Sequence, residues 1–287
     1  MPTARNAAAI AQIDGTIFVV GGYTASFRFH ANNEAYDLAS NTWTMKAPMP
    51  TARDLSGTNG AVVAGKMYVI GGNNGYATTA NEAYDPKTDT WTTRSPMPTP
   101  RANLAVVALD GLIYAIGGTN TSGSVRYQTV EVYNPATDKW TIAPPMPTAR
   151  DLLAAAVING IIYVAGGFRI TAGSLNTFEA FDPKSRTWTT KAPLPTPRRL
   201  HAVGVINGSL IVVGGTNNLT LVSTVDVYDP VTNAWASLAS SFPGARNQPA
   251  VVAANNVLFA IGGGLDLEGN KSVTNNEEFI PPQCWAR

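Results

Sequence analysis

Cysteine is almost absent from this chain of 287 residues, and charges and long apolar runs are scarce as well. The one cysteine, Cys284, cannot form an internal disulfide. Only 14% of the residues are charged and the formal net charge is +1, so the sequence has no basic stripe for nucleic acid or an anionic membrane. Every apolar run is shorter than the roughly 18 residues that a transmembrane helix needs. We therefore expect no nucleic-acid partner and no membrane partner.

The polar residues are mostly uncharged. Threonine, asparagine and serine are frequent, a composition that favours an extracytoplasmic or secreted bacterial domain. The first residues do not form a charged segment followed by an apolar one, so no targeting signal is recognised. A chain of this length buries roughly 75% of the surface that its unfolded form exposes, so its fold needs neither a disulfide nor a metal for stability.

One short motif, with proline at its second position and arginine at its fifth, occurs six times. Its copies begin at Met1, Met49, Met97, Met146, Leu194 and Phe242, so they are spaced by 48 or 49 residues. A repeat of about 50 residues that contains several strands predicts a propeller or a similar array. We predict a single domain, 1–287, with repeats at about 1–48, 49–96, 97–145, 146–193, 194–241 and 242–287.

Each repeat predicts four strands. In the copy that begins at Met146, the apolar runs 152–158 and 161–165 flank Asn159-Gly160. Asparagine followed by glycine between two apolar runs is the strongest short signal for a β-hairpin. A diglycine ends the second run, a third strand is predicted at 177–181, and a fourth contains Trp188. One repeat is therefore a four-stranded antiparallel sheet, which buries both faces only when neighbours pack against it.

Large aromatic residues recur in phase with the repeat. Every copy has a tryptophan, preceded six or seven positions earlier by tyrosine or phenylalanine. The tryptophans are Trp43, Trp91, Trp140, Trp188, Trp235 and Trp285, and the preceding aromatics are Tyr36, Tyr84, Tyr133, Phe181, Tyr228 and Phe279. We predict that they pack between repeats, where each Å² of buried apolar area contributes roughly 25 cal/mol.

Together these motifs resemble the Kelch repeat. Its segment of glutamate, any residue, tyrosine, aspartate and proline occurs here at 82–86, with close variants at 131–135, 179–183 and 226–230. The resemblance covers all six copies. It implies an all-β, six-bladed Kelch-type β-propeller in which each blade is a four-stranded antiparallel sheet and the first strand lines the central channel. Since the chain starts just before a first strand and ends in a fourth, we expect six contiguous blades and neighbouring termini.

Arginine and acidic residues also recur once in each repeat. The arginines are Arg5, Arg53, Arg101, Arg150, Arg198 and Arg246, and the acids include Glu34, Glu82, Glu131, Glu179 and Asp226. A group present in every blade is better explained by structure than by one ligand. We therefore predict charge-assisted hydrogen bonds that attach each linker to its blade.

The resemblance also implies a ligand face, built by the loop after each diglycine and by the residues after each linker arginine. Carried over by position, the candidate binding residues are Asn6, Tyr23, Arg28, Asp54, Asn73, Asn103, Asn120, Asp151, Phe168, Arg169, Arg199, His201, Asn217, Asn247 and Gln248. Amide side chains both donate and accept, which suits hydroxyl-rich or peptide ligands.

Two features of this predicted face have two interpretations each. The loop 23–30 holds three aromatic residues, which are either exposed anchors for a sugar or protein, or folded onto the blade. His201 is either a proton shuttle or, as we favour, a hydrogen-bonded surface histidine.

The sequence favours a binding module for a protein or peptide partner, and we expect it to be monomeric. No catalytic residue, cofactor or metal is predicted, since two histidines and a terminal cysteine do not fit the copper site of oxidases resembling galactose oxidase. One alternative is a carbohydrate-binding protein or a sugar enzyme resembling sialic acid epimerases, with Asp54, Asp151, Arg169 and Arg199 in its pocket. Another is a structural or engineered scaffold without a ligand.

Overall fold

Each repeat folds into a meander in which successive strands pair antiparallel. The computed structural model describes residues 1–24, 28–56, 60–238, 245–267 and 271–279. Five repeats form four-stranded sheets, and the described residues of the sixth form three strands. The six sheets are the blades of a β-propeller, which confirms the predicted fold class.

The blades follow one another along the chain. Blade 1 comprises β1 (Ala9–Ile13), β2 (Thr16–Val20), β3 (Asn33–Asp37) and β4 (Thr42–Lys46). Blade 2 comprises β5 (Ala61–Val63), β6 (Lys66–Ile70), β7 (Asn81–Asp85) and β8 (Thr90–Thr93). Blade 3 comprises β9 (Ala105–Leu109), β10 (Leu112–Ile116), β11 (Val130–Asn134) and β12 (Lys139–Ala143).

The second half of the chain repeats this order with one addition. Blade 4 comprises β13 (Ala154–Ile158), β14 (Ile161–Ala165), β17 (Phe178–Asp182) and β18 (Thr187–Thr190), with β15 (Phe168–Arg169) and β16 (Gly173–Ser174) paired in its loop. Blade 5 comprises β19 (Ala202–Ile206), β20 (Ser209–Val213), β21 (Val225–Asp229) and β22 (Ala234–Leu238). Blade 6 comprises β23 (Ala250–Ala254), β24 (Val257–Ile261) and β25 (Asn276–Phe279). Its predicted fourth strand, with Trp285, lies outside the described residues.

The first hairpin of each blade has the predicted turn. At Asn159-Gly160, φ is 49° and 79°, and the strands β13 and β14 pair from Ile158 with Ile161 outward. Positive φ at both central residues defines the type I′ turn, whose twist matches that of paired strands. Asp14-Gly15 has the same conformation, with φ of 46° and 80°.

The core lies between blades, where the second strand of one sheet packs against the third strand of the next. Ile70 of β6 and Met97 of the following linker pack with Tyr133 of β11, and Trp140 of β12 packs against the same cluster. The indole of Trp140 also donates to the carbonyl of Ser95 in the linker between blades 2 and 3 at 2.9 Å. The aromatic repeat therefore holds neighbouring blades together, as predicted.

The ring closes by the packing of blade 6 against blade 1. The amino group of Met1 donates to the carbonyl oxygen of Thr274 at 2.9 Å, and Met1 and Ile10 share an apolar cluster with Phe259. All described strands of blades 1 to 5 pair within their own repeat. In the part of the chain that the structure describes, no helix is long and apolar enough to cross a membrane.

Candidate binding site at the channel mouth

Six buried ion pairs fix the linkers that lead into the site. Arg53 contacts Glu82 at 2.5 Å and Arg101 contacts Glu131 at 2.7 Å, with the arginine side chains fully buried. The other pairs are Arg5–Glu34, Arg150–Glu179, Arg198–Asp226 and Arg246–Glu277. Burial lowers the pKa of Arg53 from its usual range, and the nearby Glu82 carboxylate opposes that shift. Because the guanidinium groups are inaccessible, these rings are structural, as the sequence predicts.

The residue after each buried arginine meets the residue after the diglycine of the same blade. In blade 2, the Asp54 amide donates to the Asn73 carbonyl at 2.8 Å, and the Asn73 amide donates to the Asp54 carbonyl at 2.9 Å. The equivalent pairs are Asn6–Tyr23, Ala102–Thr119, Asp151–Phe168, Arg199–Thr216 and Asn247–Gly264. The structure therefore brings the two predicted sets of residues together, pair by pair, around the channel mouth.

The diglycine permits this close approach. Gly72 has φ of 103°, and a Cβ atom placed on it would lie 2.5 Å from the carbonyl oxygen of Asp54. Neither the conformation nor the space suits a side chain. The same close approach recurs in the other blades, for example between Gly215 and the carbonyl oxygen of Arg199 at 2.5 Å.

A second ring of backbone hydrogen bonds joins neighbouring blades one position further along. The amide of Leu200 donates to the carbonyl of Leu152 at 3.2 Å, and the amide of Gln248 donates to the carbonyl of Leu200 at 2.8 Å. The remaining bonds run from Leu55 to Ala7, from Ala7 to Gln248 and from Leu152 to Asn103. Among the described residues, no such bond joins blades 2 and 3. The segment from the linker arginine to the end of the second strand is two residues longer in blade 2 than in blade 1. Ile70 lies 17 positions after Arg53, whereas Val20 lies 15 positions after Arg5.

The predicted site residues lie at different depths. Eight belong to the bridge pairs: Asn6, Tyr23, Asp54, Asn73, Asp151, Phe168, Arg199 and Asn247. Asn103 and Gln248 belong to the backbone ring, whereas Arg28, Asn120, Arg169 and Asn217 lie on the surrounding loops. In the loop 23–30, Tyr23 is buried and Phe29 partly buried, while Phe27 lies outside the described residues.

Basic residues lie together where blades 3, 4 and 5 meet. The Arg126 guanidinium contacts Asp151 at 3.2 Å and lies 5.2 Å from the Phe168 ring centre. The Arg199 guanidinium lies 4.5 Å from the same ring centre, a distance at which a cation is attracted by the aromatic face. Burial raises the pKa of Asp151, and the Arg126 charge opposes that shift. Asp151 is thus paired with Arg126.

Arg199 has no such partner. Its guanidinium has no carboxylate within ion-pair distance and makes no side-chain hydrogen bond among the described residues. Burial lowers the pKa of Arg199, with Asp151 opposing the shift from a greater distance. This cation is therefore partly desolvated and lies against the Phe168 ring.

An acidic group lies where blades 1, 2 and 6 meet. The Asp54 carboxylate accepts from the amide and the hydroxyl of Ser56, both at 2.7 Å. Within the described residues no arginine, lysine or histidine forms an ion pair with Asp54. Burial raises the pKa of Asp54 to about 6, against the effect of its hydrogen bonds to Ser56. Burial, together with the charge of Asp54, also raises the pKa of Tyr23.

Gln248 joins three blades at this point. Its Oε1 accepts from the Tyr23 hydroxyl of blade 1 at 3.0 Å, and its Nε2 donates to Ser56 Oγ of blade 2 at 2.8 Å. The side-chain Nδ2 of Asn6 also donates to Oε1 at 3.4 Å. A network that joins blades 6, 1 and 2 holds the acidic side of the mouth in one arrangement.

His201 lies beneath the face, so the expectation of a surface histidine is wrong. Its side chain is 4% exposed, and a Cβ atom on Gly166 would lie 2.7 Å from its Cε1 atom. Burial, followed by the charge of Arg198, lowers the pKa of His201 to about 3. The imidazole is therefore neutral at ordinary pH and is not suited to proton transfer near neutrality.

The four residues that the sugar-enzyme alternative places in its pocket come from blades 2, 4 and 5. Asp151 and Arg199 lie in adjacent blades beside Phe168, but Asp54 lies three blades from Arg199. Arg169 is exposed on β15. Among the described residues, no three side chains of histidine, cysteine, aspartate or glutamate are grouped closely enough to hold a metal ion.

Sequence reasoning missed Arg126 and Ser56. Arg126 lies eight positions after its diglycine, and its backbone pairs with Thr119, whereas most of the predicted loop residues lie one or two positions after the glycines. The loops of the other blades pair back in the same way, for example Tyr23 with Phe29 and Asn73 with Ala77, so loop length alone does not single out Arg126. Ser56 lies three positions after Arg53, in the blade that has two extra residues between its arginine and its diglycine.

Comparisons with known proteins agree with this architecture. A family model described as the KLHDC2/KLHL20/DRC7 Kelch-repeats domain matches residues 1–146 and 142–264. Human Kelch-like protein 35 is 44% identical over 63 residues, which cover 22% of this chain and 10% of that protein. The mouse Kelch-like protein 35 is 34% identical over 108 residues, 37% of this chain and 18% of that protein. This chain thus matches less than a fifth of the length of either relative.

A solved structure described as the structure of YjhT is similar over nearly the whole chain. The TM-score is 0.83, with 98% of this chain and 96% of that chain covered. The sequence identity is 19%, so this likeness supports the six-bladed fold alone.

Proposed function

Because this chain belongs to the Kelch-repeat family, we propose that it is an interaction module whose channel mouth binds a protein partner. The observation that carries the proposal is the distribution of exposed apolar side chains. Six of the nine large apolar residues that are exposed in the described structure lie on the loops after the diglycines. These six residues, called the apolar rim, are Tyr76, Val125, Ile170, Leu219, Leu265 and Leu267.

The apolar rim surrounds the bridge pairs, because the same loops provide both. Leu219 is 82% exposed and Tyr76 is 71% exposed, although neither is required by the packing of its blade. The other three exposed apolar residues, Met45, Ile142 and Val231, lie on outer strands or on the turn between the outer strands. Exposed apolar residues concentrated at one end of a fold are typical of a protein-binding surface.

The loops of the rim are held in place by contacts between blades. The Ala77 amide of blade 2 donates to the Thr121 hydroxyl of blade 3 at 3.0 Å. The Ser174 amide of blade 4 donates to the Asn218 side chain of blade 5 at 2.8 Å. A surface that is ordered before binding loses less conformational entropy when a partner docks. The rim is therefore suited to binding without rearrangement.

The test replaces rim residues and measures the affinity for a purified partner. A photo-crosslinking residue at Leu219 would identify the partner in cells, with the same residue at Val231 as the reference position. The variant Tyr76→Ser/Ile170→Ser/Leu219→Ser is then expected to weaken the binding of that purified partner by at least about tenfold, since apolar anchors dominate such interfaces.

The matched control is Met45→Ser/Ile142→Ser/Val231→Ser, which removes equally exposed apolar side chains away from the mouth. It should leave the dissociation constant unchanged, and both variants should unfold at the same temperature as the natural chain. A partner whose affinity falls equally in both variants, or in neither, would contradict the proposal.

A further inference from the structure

Among the described residues, two of the charged side chains that directly follow a buried linker arginine form no ion pair. Each blade places one residue directly after its buried arginine, and the six residues are Asn6, Asp54, Ala102, Asp151, Arg199 and Asn247. Three of them are charged. Asp151 is paired with Arg126 at 3.2 Å, so Asp54 and Arg199 remain without an ion-pair partner among the described residues.

These two residues lie on opposite sides of the channel. Asp54 belongs to blade 2 and Arg199 to blade 5, so two blades separate them in either direction around the ring. Both are at least partly buried. Removing a charge from water without pairing it is unfavourable, and such a charge gains most when a ligand supplies its counterpart. The arrangement therefore has one acidic and one basic position across a single opening.

Further charges lie around these two positions. Arg126 of blade 3 lies against the same Phe168 ring as Arg199, and Arg169 is exposed at the next position of blade 4. On the other side, Asp266 of blade 6 is close enough to Tyr23 to contribute, after Asp54, to the rise of its pKa. The loops over blades 3 to 5 therefore carry an excess of positive charge, whereas over blades 6 to 2 the exposed Arg28 and Lys271 offset Asp54 and Asp266. A carboxylate is attracted to the Arg199 side before it docks, while selection of a cation rests on the Asp54 side chain itself.

We propose that the mouth binds an extended peptide segment of a protein partner that places a lysine or arginine at Asp54 and an aspartate or glutamate at Arg199. This proposal rests on the proposed function, because the apolar rim supplies the contacts around the segment. An extended segment fits better than a free amino acid, whose charges are too close together to reach opposite sides of the ring. The bidentate guanidinium of Arg199 selects a carboxylate, while the Asp54 carboxylate selects an ammonium or guanidinium group.

The experiment selects binders from a random library of linear segments displayed between inert flanks. Segments selected on the natural chain should carry a basic and an acidic residue in one order and at one separation. Asp54→Asn should weaken a selected segment by at least about tenfold, and should weaken its variant lacking the basic residue far less. Arg199→Gln should show the corresponding dependence on the acidic residue.

A double variant with exchanged charges, Asp54→Arg/Arg199→Asp, tests the orientation. Selection on this variant should enrich the two charges in the reverse order along the segment. A merely structural role of the two residues would not reverse the order. Circular dichroism and the thermal midpoint of each variant show that its fold is intact before the affinities are compared.

The pH dependence gives an independent measurement. Because the pKa of Asp54 is about 6, its carboxylate is increasingly ionised as the pH rises through that value. Affinity for the selected segment should therefore rise over the same interval, and the Asp54→Asn variant should lack this rise.

The outcomes separate the two proposals. Selected segments that need the apolar rim but carry no fixed charge pair would overturn this inference and leave the proposed function standing. Segments whose affinity does not change in Asp54→Asn or Arg199→Gln would overturn it as well. A selection that yields no binder dependent on the rim would count against both.

Discussion

At the scale of single residues, blade 4 shows how a repeated hydrogen-bond network is lost as a unit. In blade 2, Asp89 accepts from the Tyr84 hydroxyl at 2.7 Å and from the Ala47 amide of the preceding linker at 2.9 Å. In blade 4, the three equivalent residues are Arg186, Phe181 and Pro144. The acceptor, the hydroxyl and the N–H group are all absent, so no buried donor is left unsatisfied.

Blade 5 shows a second substitution of this kind. Its acidic residue, Asp226, is one carbon shorter than the glutamates of the other blades. In blades 1 to 4 a linker threonine donates to the glutamate; in blade 5 the equivalent Thr196 is present, but it is Ser237 of the outer strand that donates to Asp226, at 2.5 Å. The sequence predicts the ion pair in every blade, but the source of the second hydrogen bond depends on side-chain length in three dimensions.

Asp89→Ala is expected to lower the free energy of unfolding by about 1–3 kcal/mol, because it leaves the Tyr84 hydroxyl and the Ala47 amide without their acceptor. Urea denaturation followed by tryptophan fluorescence measures the change. Arg186→Ala is the matched control, since Arg186 has φ of 58° and Asp89 has φ of 54°. The control removes no equivalent hydrogen bond. Equal losses in the two variants would show that backbone strain, and not the network, accounts for the effect.

At the scale of the elements, the sequence predicts the strands well because each blade uses strong local signals. The Asn-Gly and Asp-Gly turns fix the register of the first hairpin, and the diglycine ends the second strand. The loops after the diglycine carry no such periodic signal. Their exposed apolar residues and the returning Arg126 depend on contacts with neighbouring blades, which one repeat in isolation does not contain.

Gly72→Ala should destabilise the chain more than Gly75→Ala by about 1–3 kcal/mol. Both glycines have φ near 104°, at 103° and 105°, so the conformational strain is matched. A Cβ atom at Gly72 would lie 2.5 Å from the Asp54 carbonyl oxygen, whereas one at Gly75 meets nothing within 4 Å. Thermal and urea denaturation of both variants measure the difference. If the two variants proved equally stable, the close approach at the bridge pair would not be a source of constraint.

At the scale of the whole molecule, the number of blades and their order follow from the spacing of one motif. The placement of opposite charges on the two sides of the channel mouth does not follow from it. Asp54 and Arg199 are separated by most of the chain and become a pair of opposite positions only when six units close into a ring. The candidate set already contained both residues. Which of its charges would be neutralised inside the protein depended on Arg126, which comes from a neighbouring blade.

Closure of the ring yields a prediction about Gln248. This side chain joins blades 6, 1 and 2, and its loss leaves the Tyr23 hydroxyl and Ser56 without that partner. Alanine fits the backbone there, because Ala7 has φ of 53° at the equivalent position of blade 1 and Gln248 has φ of 50°. Gln248→Ala should therefore lower the free energy of unfolding by about 1–3 kcal/mol without adding backbone strain.

The loss should be concentrated at the seam between blades 6 and 1. The amide of Ala7, which donates to the carbonyl of Gln248, should exchange its hydrogen faster in Gln248→Ala. The amide of Leu200 occupies the same position in the ring and donates to Leu152 away from the seam, so its exchange should change much less. Hydrogen exchange that accelerates equally at both amides would mean that the ring opens as one unit, and that Gln248 does not determine where it closes.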